Sequence, residues 1–279
     1  MQSGQPSRTA TGAAGHRAAH QVLERGYIFA DPLALRVLGA DAEAAVHDAQ
    51  NDPSRRALRL FIAIRSRFAE DALAATVAHG VHQLVVLGAG LDTYAYRGAL
   101  RDKLQIFEVD HPATQAWKRE RLAAAAIPLP RTLKFAPVDF EHGTLADGLA
   151  AAGFDPTQQT FFTWLGVVPY LTERAVMATL GFIAEVSGGA HVVFDYVNPP
   201  SSISGSSRAA YEALAVRVAA AGEVFRSHFE TDPLRSRLRA LGFREIQDLG
   251  PAQIAARFLP GRASPASERG GHILRASTI

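Results

Sequence analysis

The stretch Leu84–Asp92 reads Leu-Val-Val-Leu-Gly-Ala-Gly-Leu-Asp, and it decides the predicted fold. Its four consecutive aliphatic residues indicate a strand buried on both faces, as in the middle of a parallel sheet. The glycines that follow, Gly88 and Gly90, predict a turn whose backbone can approach a ligand closely. Further along, a second apolar run ends at Asp110, where a doubly wound nucleotide-binding fold places its ribose-binding acid. We interpret the rest of the chain as support, lid and substrate pocket for that site.

The composition excludes several classes of protein. The chain has 279 residues, 48% of them hydrophobic and 20% charged, which is ordinary for a globular protein. It has no cysteine, so disulfides, thiolate chemistry and cysteine-ligated zinc are excluded, and we predict no metal site and a cytoplasmic location. No apolar run approaches the roughly 18 residues of a membrane span, so no membrane partner is predicted. The net charge of +2 does not favour nucleic acid as a partner.

Strand and helix patterns alternate along the chain after the opening strand, which predicts crossover units and a parallel sheet with helices on both faces. The last two strands are close enough in sequence to pair as an antiparallel edge. The candidate strands are 83–87, 104–109, 133–138, 160–165, 191–197, Phe243–Gln247 and Ile273–Arg275. The candidate helices between and after them are Ala113–Ala126, Gly143–Ala152, Glu173–Ser187, Arg208–Phe229 and Asp232–Leu241.

The first 80 residues have a different organisation, because they contain helical patterns only. After residues 1–10, expected to be disordered or to form a lid, three helices are predicted. We therefore predict an N-terminal helical cap at 1–80 and an α/β domain at 81–279, with a helical insert at about 201–229 that also covers the substrate. The three helices of the cap run from about Ala13 to Glu24, from Asp31-Pro32 to Leu38, and from Asp52-Pro53 to about His79.

Two arginines lie at opposite borders of the apolar face predicted for the third cap helix. Arg67 has Asp71 four residues further on, which predicts an ordinary surface ion pair. Arg65 has no such local partner, and an arginine of this kind beside an apolar face is a candidate ligand for an anion. From the pattern alone, both a structural and an anion-binding role remain open for Arg65.

The glycine turn lacks the third glycine of a dinucleotide-binding fingerprint, because position 93 is Thr93. The helix after Asp92 is also interrupted, which argues against a pyrophosphate at a helix N-terminus and so against a nicotinamide cofactor. A nucleoside ligand without phosphate fits better. S-adenosylmethionine has an adenosine, whose ribose hydroxyls Asp110 could hold, and an amino-acid tail that requires an acid and an arginine.

Motifs spread over nearly the whole chain resemble the leucine carboxyl methyltransferase-like family of S-adenosylmethionine-dependent methyltransferases, in particular its bacterial branch. The resemblance implies a class I methyltransferase fold, which is an α/β Rossmann-like fold. It has a seven-stranded sheet with one antiparallel edge strand, a helical N-terminal lid and a helical insert. The matching residues are Arg17–His20, Asp31–Ala34, Arg65–Phe68, Gly88–Thr93, Tyr96-Arg97, Phe107–Pro112, Val138–Phe140, Gly166–Leu171 and Phe194–Tyr196.

The resemblance also implies roles for single residues in binding S-adenosylmethionine. Arg65 would bind the carboxylate of the cofactor, which assigns the ambiguous arginine. Gly88 and Gly90 would pass under the cofactor, and Asp110 would bind the ribose. A strand-end cap is the alternative role of Asp110.

The second half of the implied site holds the adenine and borders the acceptor. Asp139 and Phe140 would hold the adenine, although Asp139 could instead be a helix N-cap. Many relatives carry a glutamate where this chain has Leu165, so the contact of that glutamate is lost or replaced by packing of Leu165. From the residues themselves, Tyr170 and His111 are candidate substrate-binding groups, with a core anchor and a surface turn as their alternative roles.

Methyl transfer from a sulfonium depends mostly on alignment, so the identity of the acceptor decides whether a base is needed. A carboxylate, with a pKa of about 4, is already ionised at pH 7, whereas a hydroxyl needs a base. The sequence shows no clear Asp–His base pair, which together with the family resemblance favours an O-methyltransferase acting on a carboxylate of a small molecule or peptide; the catalytic residues are not assigned. The alternatives are a hydroxyl O-methyltransferase with His111 or Asp195 as base, a non-catalytic cofactor-binding homologue, and a nicotinamide reductase. His191 and His272 are predicted to be structural, and the oligomeric state is not predicted.

Overall fold

The structure is a computed structural model, and it describes residues 8–139, 143–220, 222–261 and 269–279. The chain forms two compact units, Met1–Asp155 and Pro156–Ile279. Among the described residues, no helix combines the length and the apolar character needed to cross a membrane. The division into a helical cap and an α/β domain at residue 80 stays a prediction, as does the cytoplasmic location.

A seven-stranded sheet forms the centre of the fold, as predicted. Its strands are β1 (Gln83–Leu87), β2 (Gln105–Asp110), β3 (Leu133–Pro137), β4 (Thr160–Trp164), β5 (Ala190–Val197), β6 (Glu245–Leu249) and β7 (Gly271–Ser277). Their order in the sheet is β3-β2-β1-β4-β5-β7-β6. β2 pairs in parallel with β1 and β3, and β4 pairs in parallel with β5. β7 runs antiparallel to both β5 and β6, so the antiparallel strand lies second from the edge and β6 is the edge strand.

The helices of the first unit include two that the sequence pattern did not predict, α3 and the short α5. The α3 sequence is polar, and Ala49 is its one buried residue, so no apolar stripe marks it. α1 begins at Arg8, which corrects the expectation that its N-terminus is at Ala13. The helices are α1 (Arg8–Leu23), α2 (Ala34–Leu38), α3 (Asp41–Asn51), α4 (Arg56–Val77), α5 (Tyr94–Arg97), α6 (Pro112–Ala124) and α7 (Leu145–Ala151).

The core of the first unit joins the N-terminal helices to the glycine turn. All five residues of β1 are buried, as expected for a strand covered on both faces. Leu91, immediately after the turn, packs in one apolar cluster with Ala14 and Ala18 of α1 and with Val37 and Leu38 of α2. The position of the turn therefore depends on the packing of these two helices.

A buried ion pair connects α6 to β2. The Lys118 Nζ lies 2.7 Å from Oε2 of Glu108, and both side chains are almost fully buried. The Tyr96 hydroxyl donates a hydrogen bond to the same Glu108 oxygen at 3.3 Å. Burial raises the pKa of Glu108 to about 7, although Lys118 opposes this shift. Glu108 therefore keeps its proton in the folded protein at pH values where the unfolded chain has released it. For this reason, the contribution of Glu108 to the free energy of unfolding falls as the pH rises from about 4.5 to 7.

Lys118→Met is expected to destabilise the first unit more at pH 8 than at pH 5. Without the ammonium the pKa of Glu108 rises further, and at pH 8 the protein must either bury an unpaired carboxylate or bind a proton. The expected loss at pH 8 is about 3–5 kcal/mol, the usual cost of breaking a buried ion pair. Urea unfolding at both pH values measures it, with Lys134→Met at an exposed site of β3 as control. An equal loss at the two pH values would contradict this account.

The helices of the second unit confirm the predicted pattern in part. The predicted insert helix extends to Phe229, but the observed helix α9 ends at Ala220, and Gly222 follows with φ +81°. The residues after it are held by backbone hydrogen bonds to other segments instead of continuing the helix, as described below. α11 was not predicted. The helices are α8 (Glu173–Ala184), α9 (Gly205–Ala220), α10 (Thr231–Ala240) and α11 (Pro251–Phe258).

Candidate functional site

The turn after β1 adopts a backbone conformation that requires its two glycines. Gly88 has φ +65° and Gly90 has φ +41°, values that residues with a Cβ rarely adopt. The turn is closed by two backbone hydrogen bonds, from Ala89 N–H to the Val109 carbonyl at 3.0 Å and from Asp92 N–H to the Ala89 carbonyl at 2.7 Å. The first of these bonds ties the turn directly to the end of β2.

Asp110, at the carboxyl end of β2, is bonded to the same turn. Its Oδ2 accepts the Gly90 N–H at 2.6 Å, and its Oδ1 accepts the His111 N–H at 2.7 Å. Burial raises the pKa of this carboxyl, and the two backbone donors oppose the shift. The structure therefore brings together two residues predicted to bind the cofactor. Each carboxylate oxygen keeps a second lone pair that a ribose hydroxyl could use.

Helix α1 approaches the same turn closely. A Cβ added at Gly90 would lie 3.0 Å from the Cβ of Ala10, near the start of α1. Gly90 therefore allows both the positive φ angle and the contact with the helix. A side chain at this position would have to push the N-terminus of α1 away.

A buried polar network behind the turn includes several residues that carry the family resemblance. The Asp31 carboxylate, with 1% of the residue exposed, accepts hydrogen bonds from Arg17 Nε at 3.3 Å and from the Thr93 hydroxyl at 2.8 Å. It also lies 3.2 Å from Arg97 Nε, and Arg97 forms a second ion pair with Glu70. Burial raises the pKa of Glu70, and Arg97 opposes this shift.

The network connects three segments that are distant in sequence. Arg17 belongs to α1 and Asp31 precedes α2, whereas Thr93 directly precedes the short helix α5 and Arg97 is its last residue. Arg17 also donates to the carbonyl of Leu91 inside the glycine motif. We did not assign a site role to any of these residues from the sequence. The signal that could have found them was the presence of Arg17, Asp31, Thr93 and Arg97 among the matched family motifs.

The two arginines of α4 differ as the sequence predicted. Arg67 forms an exposed ion pair with Asp71, with its Nε 2.8 Å from both carboxylate oxygens, which confirms the surface pair. Arg65 is buried, with 9% of the residue exposed. Its predicted role as a ligand of the cofactor carboxylate stays a prediction.

His111 and Asp139 lie close together beyond β2 and β3. The Nδ1 of His111 accepts the Ala113 N–H at 3.2 Å and so caps the N-terminus of α6. The Nε2 of His111 lies 3.8 Å from Oδ2 of Asp139, and both side chains are partly exposed. Phe140, predicted to hold the adenine with Asp139, lies outside the described residues.

In the second unit, the turn after β4 repeats the arrangement of Asp110 and Gly90. Leu165 is followed by Gly166, whose φ is +72°. Its N–H donates to Oδ1 of the buried Asp195 at 2.6 Å. Leu165 is partly buried, and the proposed replacement of the family glutamate by packing stays a prediction. Asp195, one of the two candidate bases, thus holds a turn.

Tyr170, the other predicted substrate-binding residue, belongs to an aromatic cluster. It lies in a 3-10 turn, Val168–Tyr170, and its ring centroid is 5.4 Å from that of Phe225. Tyr211 of α9 is 5.7 Å from Phe225, and its hydroxyl is 2.6 Å from Nε2 of His228. Sequence reasoning missed Tyr211, Phe225 and His228. The signal available was their aromatic character in an otherwise alanine-rich insert.

His191 and His272 have packing roles that agree with the structural function predicted for them. His272 is held between Oδ1 of Asp248 at 2.8 Å and Oδ1 of Asn198 at 2.9 Å, and it stacks on Tyr196. Burial lowers the pKa of His191 to about 4, so its ring is neutral at pH 7.

Comparison with known proteins identifies the family. Residues 10–184 match the sequence profile of the leucine carboxyl methyltransferase family. A Bacillus subtilis protein, YktD, is 34% identical over 200 residues, which is 71% of this chain and 66% of YktD. A Mycobacterium marinum protein is 32% identical over 168 residues, 59% of this chain and 54% of the relative. Both are named as candidate S-adenosyl-L-methionine-dependent methyltransferases, and the chain spans between half and two thirds of their length.

Solved structures agree on the fold. A candidate methyltransferase from Thermobifida fusca superposes with a TM-score of 0.59 at 14% identity, covering 99% of this chain and 96% of the other. A DUF574 family protein from Streptomyces avermitilis gives a TM-score of 0.54 at 16% identity, with 95% and 97% covered. At such low identity these likenesses support the fold alone.

The seven-stranded sheet and the superposed structures define the fold as that of the class I methyltransferases. Within that class, the chain belongs to the leucine carboxyl methyltransferase family. The resemblance drawn from the sequence and the fold class are thereby confirmed, whereas the methyl-transfer activity and the cofactor are proposed below. The predicted site residues and the absence of nucleic acid as a partner stay predictions.

Proposed function

We propose that this protein transfers the methyl group of S-adenosylmethionine to a carboxylate oxygen of a small molecule or peptide. One observation supports the choice of a carboxylate as acceptor: both candidate bases, His111 and Asp195, form hydrogen bonds that hold the fold. His111 uses Nδ1 to cap α6, and Asp195 is buried, with 4% of the residue exposed, and accepts the N–H of Gly166. A carboxylate acceptor needs no base, whereas a hydroxyl acceptor does.

The residues of the glycine turn fit the chemistry of the cofactor. The carboxylate of Asp110, which is bonded to the turn, would bind the ribose hydroxyls. Gly88 and Gly90 have no side chains, so the backbone of the turn would let the ligand approach closely. The guanidinium of the buried Arg65 would hold the carboxylate of the cofactor, because its planar donors match a carboxylate. Asp139 would accept the exocyclic amine of the adenine. When bound, S-adenosylmethionine supplies a methyl group on a sulfonium, which is a good leaving group.

The protein has then to align the acceptor and exclude water. One acceptor oxygen forms a bond to the methyl carbon while the bond from that carbon to sulfur breaks, and the electron pair of that bond stays on sulfur. The products are a methyl ester and S-adenosylhomocysteine, and no proton has to be moved. Alignment of this kind is the largest contribution that a methyltransferase can make to such a displacement.

Incubation of the full chain with S-adenosylmethionine and a panel of carboxylic acids and alcohols tests this function. We expect base-labile methyl esters together with S-adenosylhomocysteine, and no ethers. Ethers from alcohols would favour the hydroxyl alternative. A protein that binds the cofactor but methylates neither class would favour a non-catalytic homologue, the alternative suggested by Leu165.

Two conservative variants test the absence of a catalytic base. His111→Asn keeps a side chain that caps a helix well, and Asp195→Asn keeps an oxygen that can accept the Gly166 N–H. We expect each variant to reduce kcat less than about tenfold, because loss of a general base costs about 100-fold or more. We also expect a flat rate between pH 6 and pH 9, where a carboxylate acceptor stays ionised. A loss of 100-fold in either variant, with a normal melting temperature, would contradict the proposal.

A further inference from the structure

Four rings of the second unit meet in one partly exposed cluster, which we call the aromatic cluster: Tyr170, Tyr211, Phe225 and His228. Phe225 is its centre, with ring centroids 5.4 Å from Tyr170, 5.7 Å from Tyr211 and 6.5 Å from His228. None of these four residues is fully buried. Ring faces and edges that are not covered by protein can bind a flat apolar group by offset stacking or edge-to-face contact.

Hydrogen bonds to backbone carbonyls hold the segment that carries Phe225 and His228 in place. The N–H of Arg226 donates to the Pro169 carbonyl at 2.7 Å, and the Ser227 hydroxyl donates to the Val168 carbonyl at 2.9 Å. The N–H of Phe229 donates to the carbonyl of Val197 at 3.1 Å. These bonds fix the segment against the turn after β4 and against the end of β5. The aromatic cluster therefore lies at the carboxyl ends of parallel strands, where doubly wound sheets bind their ligands.

A phenol and an imidazole supply the polar part of the aromatic cluster. The Tyr211 hydroxyl and Nε2 of His228 are 2.6 Å apart. Burial lowers the pKa of His228 and raises the pKa of Tyr211, so both groups are neutral at pH 7. Arg208 is the charged group that acts on Tyr211, and it is itself bonded to Glu212 and to the Pro200 carbonyl. A neutral pair of this kind retains an O–H or N–H that can donate to an anionic oxygen.

We infer that the aromatic cluster is the acceptor site and that the acceptor is an aromatic carboxylic acid. The flat ring would stack against Phe225 and Tyr170, and the carboxylate would accept a hydrogen bond from the Tyr211–His228 pair. Small-molecule sites commonly combine an apolar aromatic lining with a few placed polar groups, as here. The inference rests on the proposed carboxylate methylation and adds the class of acid.

Acids that differ only in the flatness of the ring test this assignment. We would supply the full chain and S-adenosylmethionine with benzoate and 2-naphthoate, and with their saturated counterparts cyclohexanecarboxylate and decahydro-2-naphthoate. The expected result is a kcat/KM at least about tenfold higher for the aromatic acids, because stacking and edge contacts require a π-system. Phe225→Leu should remove this preference. Tyr211→Phe should raise KM for both classes of acid about tenfold, since it breaks the Tyr211–His228 pair that donates a hydrogen bond to the carboxylate.

Controls and contrary outcomes separate this inference from the proposed function. Tyr27→Phe makes the same change as Tyr211→Phe at an exposed position of the first unit and should leave kcat and KM unchanged. S-adenosylhomocysteine should bind all variants equally. Equal use of aromatic and saturated acids, or normal kinetics of Phe225→Leu and Tyr211→Phe, would overturn the inference while carboxylate methylation stands. Ester formation from none of the acids by a protein that binds the cofactor would overturn the proposed function itself.

Discussion

Asp31→Ala is expected to lower the free energy of unfolding of the first unit by about 3–5 kcal/mol. The substitution removes the carboxylate between Arg17 and Arg97. Their two largely buried guanidinium groups then lose the negative charge that offsets the cost of burying them. Breaking a buried ion pair from one side typically costs this much, and the whole stability of a domain is only about 5–15 kcal/mol. Thr93 also loses the acceptor of its hydroxyl, so the glycine motif should become mobile.

Tryptophan fluorescence can report the unfolding of the first unit, because each unit contains one of the two tryptophans of the chain. Trp117 lies in the first unit and Trp164 in the second, so Trp164→Phe leaves a single fluorophore that reports on the first unit. Urea unfolding would be followed in that background, with Asp71→Ala as the control because the ion pair of Asp71 is exposed. The control should change stability by no more than about 1 kcal/mol. A loss from Asp31→Ala as small as that of the control would refute the role assigned to the network.

Asp110→Ala is expected to weaken binding of S-adenosylhomocysteine about 100-fold or more. If Asp110 binds the ribose as proposed, the variant loses two hydrogen bonds from ribose hydroxyls to a charged group, each contributing about 1.5–3 kcal/mol. It also removes the acceptor of the Gly90 N–H, which helps to hold the turn. Asp110→Asn keeps one acceptor oxygen and should bind with an intermediate affinity. Calorimetric titration of both variants would measure this order, and a wild-type affinity in either folded variant would exclude the ribose role.

Much of the sheet could be predicted because burial of a strand on both faces leaves a continuous apolar run. Leu84–Leu87 is such a run, the residues before Asp110 are mostly apolar, and both segments are strands in the structure. α3 could not be predicted in this way because it buries almost nothing. The end of α9 was predicted wrongly because local alanine content favours a helix, whereas Arg226 and Phe229 bond to carbonyls of distant segments.

The candidate site was predictable where a residue type alone carries the information. The glycine turn, with its positive φ angles at Gly88 and Gly90, and the acid at the tip of β2 agree with the sequence-based expectations. The contacts of Asp31 could not be predicted, because they join three segments through tertiary packing. The same holds for the aromatic cluster, in which Tyr170 and Phe225 are more than 50 residues apart in sequence.

The central claim is that the turn and Arg65 bind S-adenosylmethionine, and a matched pair of arginine variants on one helix tests it most directly. We would titrate S-adenosylhomocysteine and NAD into the wild type, Arg65→Ala and Arg67→Ala by calorimetry. The account predicts micromolar binding of S-adenosylhomocysteine to the wild type, loss of binding in Arg65→Ala and normal binding in Arg67→Ala. A folded wild type that binds NAD and not S-adenosylhomocysteine, or equal binding by the two variants, would contradict it.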